Sequence, residues 1–274
     1  MKRILSIVAV VWAAAQLSYA QKIEAKVVDE TNNEPIAYVA VGVVERTCGT
    51  LTDSLGCISL TIPSELDADT LRISCVGYAS VSMSVAEARQ CSVFALVPRV
   101  EELSEVEVMP IKTKIRNLGR RANRGPMCIK VEGESSAGKE LGMQFKVKKR
   151  AWIKSISFAI EESDSMLAKM PFRLNLYDKN GVENTNNLVS STLFQYNKEA
   201  MKDGRFTFTL PTPFAIEGGE YIIAIEFLEK FPNKKFLMRT NVMTGQTFYR
   251  YAPQTSWKKI PLGSTLAVEL IEEK

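Results

Sequence analysis

The 274-residue sequence contains no histidine. Without an imidazole, neither a Ser-His-Asp nor a Cys-His catalytic centre can form, and histidine-ligated zinc sites and histidine pH switches are also excluded. The absence of histidine therefore excludes most catalytic mechanisms of exported hydrolases. A glycosidase that uses two carboxylates is an exception, because its chemistry does not require histidine.

The sequence also lacks a strong excess of charge of either sign. Its 35 Lys and Arg residues face 31 Asp and Glu residues, which gives a formal net charge of +4. A protein whose main partner is nucleic acid is expected to carry a strongly basic face, so we expect no nucleic-acid partner. The 46% hydrophobic and 24% charged residues are typical of a globular protein, and the length allows two domains.

Long apolar runs are scarce, and the first one is short. Lys2 and Arg3 precede an apolar stretch from Ile4 to Ala15, and a Ser-Tyr-Ala sequence ends at residue 20. This pattern predicts a signal peptide over residues 1–20. No cysteine follows the cleavage site, so we expect no lipid anchor. No later segment offers the ~20 apolar residues of a membrane-spanning helix, so we expect an exported mature chain without a transmembrane span.

Residues 21–109 show short runs in which apolar and polar residues alternate. Three of these runs carry their apolar residues at Ile23, Ala25 and Val27, at Val39, Val41 and Val43, and at Ile58, Leu60 and Ile62. About seven such strands at close spacing are typical of a β-sandwich or barrel. The Thr52-Asp53 turn between two of the runs predicts a β-hairpin.

Three segments of this region carry a family resemblance. They are Gly49-Thr-Leu-Thr-Asp-Ser-Leu-Gly56, the Ser74-Cys-Val-Gly-Tyr78 segment, and a closing Leu103-Ser-Glu-Val-Glu-Val108. Together they resemble the carboxypeptidase-like regulatory domain, which is a small transthyretin-like β-sandwich with Greek-key topology. The resemblance implies a folding and docking module without chemistry of its own.

Residues 110–130 differ from both flanking regions. Seven basic residues occur there without an acidic one, among glycine, asparagine and proline residues. This composition predicts a basic linker between two domains, which trypsin would cleave first.

Period-two alternation returns over residues 131–274. Leu141, Met143, Phe145 and Val147 form one alternating strand, and about eight strands with Gly- and Asp-containing turns suggest a jelly-roll-like β-sandwich. The segments 172–177, 216–221 and 249–257 are similar to C-terminal modules of bacterial envelope proteins. The sequence therefore predicts an all-β chain with two β-sandwich domains.

No cofactor or metal site is expected. The stretch from Gly133 to Lys139 is one residue short of a phosphate-binding loop, because Glu140 stands where a hydroxyl should bind magnesium. The acidic loops at 29–34 and 178–183 lack the spaced set of oxygen ligands that calcium needs, and a turn explains them.

Three aromatic residues near the C-terminus are candidates for ligand stacking. Tyr249, Tyr251 and Trp257 flank a loop at 252–256 and would stack on a sugar if all three were exposed together. The alternative, that they are ordinary sheet residues, stays open.

Cys48 and Cys57 flank the predicted hairpin turn symmetrically, which predicts a disulfide between them. The alternative is that they are small, half-buried residues without a bond. A second bridge between Cys75 and Cys91 also stays open, and Cys128 is expected to be a free thiol.

These observations favour a non-catalytic binding or assembly protein of a Gram-negative cell envelope, in the periplasm or at the outer-membrane surface. Its partner would be an envelope protein or a glycan. The first alternative is carbohydrate binding by the C-terminal module, and the second is a glycosidase with paired carboxylates. A concave patch formed by the three aromatic residues would favour carbohydrate binding. Two close buried carboxylates in a cleft would favour the glycosidase.

Overall fold

The computed structural model describes residues 21–99, 112–121, 125–133, 136–161, 171–179, 188–195 and 201–273. Strands dominate these ranges, which also contain a short 3-10 helix (Ser64–Leu66) and a four-residue helix α1 (Val85–Ala88). The predicted all-β sandwich class is confirmed. The predicted signal peptide and the closing segment of the first domain, residues 103–108, lie outside the described residues.

The first module is formed by strands β1 to β7. They are β1 (Gln21–Asp29), β2 (Ala40–Val43), β3 (Gly49–Leu51), β4 (Cys57–Ile62), β5 (Thr70–Ser74), β6 (Val81–Ser84) and β7 (Val93–Leu96). Among the described residues they make two sheets, in the orders β4-β1-β7 and β3-β2-β5-β6. Strands β1 and β7 are parallel, whereas the other pairs are antiparallel.

The core of this module lies between the two sheets. Strand β4 shows how the sequence builds it, because Ile58, Leu60 and Ile62 are buried while the residues between them are exposed. Strand β2 contributes Val41 and Val43 from the opposite sheet, and both are fully buried. Burying each of these side chains stabilises the fold by roughly 1.5–3 kcal/mol.

The predicted hairpin between β3 and β4 is wrong. Strand β3 pairs with β2, and β4 pairs with β1 in the other sheet. The Thr52 hydroxyl accepts a hydrogen bond from the Val39 amide and donates one to the Ile36 carbonyl, both at 2.9 Å. Thr52 therefore holds the segment that precedes β2, and the turn carries the chain from one sheet to the other.

The second module contains the remaining twelve strands of the described residues. They are β8 (Thr113–Gly119), β9 (Met127–Gly133), β10 (Glu140–Val147), β11 (Ala151–Ala159), β12 (Pro171–Tyr177), β13 (Leu188–Gln195), β14 (Met201–Lys202), β15 (Arg205–Ile216), β16 (Gly219–Phe227), β17 (Phe231–Arg250), β18 (Lys258–Ser264) and β19 (Ala267–Glu273). One sheet has the order β13-β12-β16-β10-β17-β18, with β9 also paired to β17, and the other β14-β15-β11-β19-β8. A single large core lies between these sheets.

The predicted linker over residues 110–130 is wrong for the part that the structure describes as strand. Strand β8 pairs with β19 along its whole length, and β9 pairs with β17. Two basic residues of β8 are held by one carboxylate of β19, since Glu272 lies 2.9 Å from Arg116 and 3.5 Å from Lys114. Cross-strand charge pairing holds this edge strand, although its sequence has no apolar alternation.

Within the described residues, no helix has the length and apolar character needed to cross a membrane.

Candidate functional site

A loop of the second module, residues 252–256, docks on the first module. The Gln254 carbonyl accepts a hydrogen bond from the Glu45 amide at 3.0 Å, and the Gln254 side-chain amide donates one to the Ser74 hydroxyl at 2.8 Å. The Ser256 hydroxyl also hydrogen-bonds to the Glu45 carboxylate. The loop therefore joins the modules through backbone and side-chain contacts.

Three glycines form a seat for Pro253 in this loop. Gly42 and Gly49 are cross-strand partners on β2 and β3, and Gly138 comes from the second module. An added Cβ would lie 2.5 Å from the Pro253 carbonyl oxygen at Gly42, 2.9 Å from it at Gly49, and 2.5 Å from the Pro253 ring at Gly138. Because glycine has no Cβ, it allows Pro253 to approach this closely at all three positions.

Beside this seat, a cleft with a volume of about 210 Å³ opens between the modules. The polar and charged side chains that line it come from both. They are Arg72, Ser74, Tyr78, Ser80 and Arg99 of the first module, and Glu140, Arg173, Asn175, Tyr177, Glu226, Arg250 and Gln254 of the second.

Neighbouring strands bring the charged residues of the second module together. Glu140 on β10 is the cross-strand partner of Glu226 on β16 and of Arg250 on β17, and Glu226 is the partner of Arg173 on β12. The flanking residues Leu141, Leu174 and Ile225 point into the core between the sheets. The charged residues therefore lie on the opposite face, towards the first module.

Each carboxylate of this cluster is paired with an arginine. Glu140 lies 2.9 Å from Arg250, and Glu226 lies 3.0 Å from Arg173. The Asn175 amide donates to both carboxylates, at 2.8 Å to Glu226 and at 3.3 Å to Glu140. One amide group thus connects the two ion pairs.

The centre of the cluster is almost inaccessible to solvent. Glu140 is 2% exposed and Arg250 is 4% exposed. Burial raises the pKa of the Glu140 carboxyl, and this effect exceeds the opposing effect of the Arg250 charge. Burial and the Glu140 charge also raise the pKa of Tyr177 far above its usual value, so its hydroxyl stays neutral and donates to Glu140 at 2.9 Å.

The guanidinium of Arg250 lies near two aromatic rings. It is 4.8 Å from the centre of the Tyr177 ring and 4.3 Å from that of the Trp257 ring. These cation–π contacts stabilise a buried positive charge. Two of its nitrogen atoms, Nε and Nη2, have no hydrogen-bond partner among the described residues.

The second arginine connects the cluster to the first module. The Nη2 atom of Arg173 donates a hydrogen bond of 2.5 Å to the backbone carbonyl of Tyr38. The charged cluster therefore belongs to the junction between the modules as well as to the cleft.

The predicted aromatic platform is wrong, because its residues are not brought together. Tyr249 packs against the core of the second module, whereas Trp257 packs against Tyr177 on the other face of the sheet. Tyr251 is 50% exposed, and the Lys139 ammonium lies 4.6 Å from its ring centre. Alternation along β17 places Tyr249 and Arg250 on opposite faces of the sheet, and Trp257 lies on the face of Arg250, 4.3 Å from its guanidinium.

The predicted disulfide between Cys48 and Cys57 is also wrong, since all five cysteines are free thiols. Cys48 packs against the core of the first module, while Cys57 is exposed at the start of β4. Cys48 directly precedes β3, Cys57 begins β4, and these two strands belong to different sheets, so the geometry that the bond required is absent. Cys75 and Cys91 both contact the first core without forming a bond, and the Cys128 thiol lies 3.2 Å from the Glu161 carboxylate.

The sequence interpretation did not identify the charged cluster. A signal for it exists in β12, where Arg173, Asn175 and Tyr177 alternate with Phe172 and other apolar residues. Polar residues at alternate positions of a strand usually face solvent, so this pattern alone does not indicate a site. Within the ranges that the structure describes, no group of His, Cys, Asp and Glu residues could hold a metal ion.

Comparison with known proteins gives a family for the first module only. Two solved structures have low overall similarity to the chain. A subviral particle of infectious bursal disease virus VP2 has a TM-score of 0.29 and 8% identity, over 91% of this chain and 63% of that one. A carbohydrate-binding module of the β-sandwich superfamily has a TM-score of 0.23 and 12% identity, over 87% of this chain and 97% of that one.

The chain thus spans less than two thirds of the VP2 chain. No curated protein sequence matches it. Residues 23–108 match the CarboxypepD_reg-like domain, which confirms the family resemblance of the first module.

Proposed function

We propose that this chain is a non-catalytic binding protein exported to the envelope of a Gram-negative bacterium, and that the cleft between its modules holds the ligand. The observation that carries the proposal is the cluster of buried charges, which lines a cleft to which both modules contribute. A ligand in this position would contact both modules at once.

Stability alone does not account for the cluster. Removing a charged side chain from water costs several kcal/mol per ion, and apolar residues of similar size often stabilise a fold equally well or better. Buried charges with shifted pKa values that line a cleft are typical of functional sites. Glu140 and Arg250 fit this description, since both are nearly inaccessible and the Glu140 pKa is raised.

Two observations support export, which a place in the cell envelope requires. Residues 1–20 have the charged start, apolar middle and small-residue end of a signal peptide. The CarboxypepD_reg-like domain follows directly after them. The partner that we propose is an envelope protein or a glycan.

Blocking the cleft tests this function. Val76 is 40% exposed and lines the cleft, so Val76→Trp would fill its mouth without disturbing either core. Val93→Trp is the matched control, because Val93 is 53% exposed on β7 and does not line the cleft. Tagged wild-type and variant proteins would be used to capture components of the native envelope, with proteins identified by mass spectrometry and glycans by sugar analysis.

We expect a component that wild type and Val93→Trp retain and that Val76→Trp loses. Capture that is unaffected by Val76→Trp, or the absence of any retained component, would contradict binding in the cleft.

The carboxylate pair favours glycoside hydrolysis as a second candidate function. Glu140 and Glu226 are buried cross-strand partners that share the Asn175 amide. A glycosidase likewise uses two carboxylates in one cleft. Binding is the better supported function because Arg250, Tyr177 and Asn175 surround Glu140, and a sugar would have to displace them. Release of reducing ends from an oligosaccharide panel, abolished by Glu140→Gln, would establish the enzyme.

A further inference from the structure

We infer that a groove beside strand β4 is a docking site for an extended segment of a partner protein, in which basic residues alternate with apolar ones. The groove lies where the first module borders the second, and it shares no lining residue with the cleft. It is therefore a second site, and it does not depend on what the cleft binds.

Strand β4 has an open edge next to this groove. Among the described residues it pairs only with β1, at the border of its sheet. The Gly56 carbonyl accepts a hydrogen bond of 2.8 Å from the Val27 amide, which fixes the residues that face β1. Such residues alternate in an antiparallel pair, so the backbone amides and carbonyls of Ser59 and Thr61 point away from β1. These groups can hydrogen-bond to an added strand.

The groove can accept an apolar side chain of that added strand. It has a volume of about 410 Å³, within the range of about 300–1,000 Å³ that is usual for ligand sites. Its lining includes Leu51 and Ile58 of the first module and Ala137 and Leu228 of the second, all buried. Every second side chain of a strand added to β4 lies on the same face as Ile58 and is directed towards the groove.

The rim of the groove favours a basic partner. Its described lining contains Asp53 and Glu229 as acidic residues and Lys230 as a basic one, and Lys230 already has an interaction partner. Both acidic side chains are exposed, and neither has an ion pair among the described residues. Burial, followed by the charges of Glu229 and Asp53, raises the pKa of Tyr38, so both carboxylates act on one wall of the groove. A lysine or arginine of the partner would complement them.

The open strand edge favours a peptide over a glycan. Only a peptide offers backbone N–H and C=O groups at the spacing of a strand, and main-chain hydrogen bonds supply much of the affinity when a strand is added to a sheet. Alternating side chains then supply the specificity.

Selection from a displayed library of random octapeptides tests the inference. The full-length wild-type protein would be the target, and Ser59→Pro would be used to remove peptides that bind elsewhere. Proline lacks the amide that Ser59 directs away from β1, and edge strands tolerate proline at such positions. We expect enrichment of peptides in which lysine or arginine alternates with apolar residues.

Fluorescence anisotropy with a labelled peptide from this selection measures the affinity. Ser59→Pro should weaken binding about fivefold to tenfold, because a hydrogen bond to the added strand is lost. Ser82→Pro on the edge strand β6 is the matched control and should bind as wild type does. Ser82 is exposed, and its amide points away from β5, because the Val85 amide bonds to the Asp69 carbonyl and sets the alternation.

Charge variants test the rim without altering β4. Glu229→Gln should weaken binding about twofold to fivefold at low salt, and high salt should reduce this difference. Glu30→Gln is the control, since Glu30 is exposed and does not line the groove. Circular dichroism and thermal unfolding would confirm that each variant is folded, and Glu229→Gln tests the site even if Ser59→Pro is not.

Enrichment of acidic or wholly polar peptides, or no enrichment that depends on Ser59, would overturn the inference. Loss of peptide binding in Val76→Trp would place the peptide in the cleft and would also overturn it. Sedimentation of the protein alone tests another occupant, because a dimer that Ser59→Pro dissociates would show that β4 pairs with a second copy of the chain instead.

Discussion

At the scale of single residues, Arg250 shows how a buried charge can be held without full hydrogen bonding. It pairs with Glu140 at 2.9 Å, lies near the rings of Tyr177 and Trp257, and leaves two nitrogen atoms without an acceptor in the described part of the chain. Removing either partner leaves an uncompensated charge in a site that is almost inaccessible to solvent. Removing both partners leaves no uncompensated charge from this pair.

A double-mutant cycle on this pair measures the coupling. Glu140→Leu and Arg250→Met should each lower the free energy of unfolding by about 3–5 kcal/mol, because each leaves the other charge buried and unpaired. The double variant should lose clearly less than the sum of the two. Chemical denaturation of the four proteins gives these values, and strictly additive losses would show that the two charges are not coupled.

Asp29 provides a pH-dependent contact within the first module. Its carboxylate accepts hydrogen bonds from the Thr31 hydroxyl at 2.5 Å and the Thr31 amide at 2.7 Å, and from the Tyr78 hydroxyl at 3.0 Å. These bonds, those from Thr31 above all, lower the pKa of Asp29 below its ordinary value of 3.8. The stabilisation is therefore complete above that value, and it is lost as the pH falls through the lower pKa of the folded state.

We expect Asp29→Asn to be less stable than wild type at neutral pH, and the difference to shrink as the pH falls below 3.8. Thermal unfolding of both proteins over a pH series checks this. A difference that stays constant with pH would assign the effect to lost geometry rather than to the charge.

At the scale of secondary structure elements, the sequence predicts strands better than it predicts their partners. The alternation of Ile58, Leu60 and Ile62 identifies β4 and its buried face, because both depend only on neighbouring residues. Pairing of β4 with β1 rather than β3 depends on contacts of Thr52 with Val39 and Ile36, which lie 13 and 16 residues away. No local pattern contains that information.

Strand β8 also shows that local sequence does not identify the partner of a strand, because its basic composition resembles that of a linker. The residues that hold it, above all Glu272 on β19, come from the other end of the chain. Trypsin should therefore cleave slowly after Lys114 and Arg116 in the native protein, since cleavage requires the edge strand to open.

Glu272→Gln should increase the rate of cleavage at these two positions about twofold to fivefold, because such partly exposed pairs contribute roughly 0.2–1 kcal/mol. Glu220→Gln is the control, since Glu220 pairs with Lys146 on the other sheet of the second module, away from β8. Rapid cleavage at Lys114 in the wild-type protein would instead support the prediction that this segment is a linker.

At the scale of the whole molecule, the candidate site exists because two modules meet. Arg72 and Arg99 of the first module reach the cleft together with Glu226 and Arg250 of the second, although more than a hundred residues separate the two sets. The sequence predicts each sandwich from its own periodicity but contains no local sign of their relative position. Docking depends on Pro253 in its glycine seat, and this contact is open to a direct test.

Gly42→Val should separate the modules, because any Cβ at this position would lie 2.5 Å from the Pro253 carbonyl oxygen. Valine favours strands, so β2 and its sheet should survive while the loop at 252–256 is displaced. Ser82→Thr on β6 is the control, since it adds a methyl group on an exposed position of the same sheet. We expect small-angle scattering to show a larger radius of gyration for Gly42→Val only, together with thermal unfolding in two steps. Unchanged scattering and a single transition would mean that the loop adapts, and that the glycine seat does not determine how the modules dock.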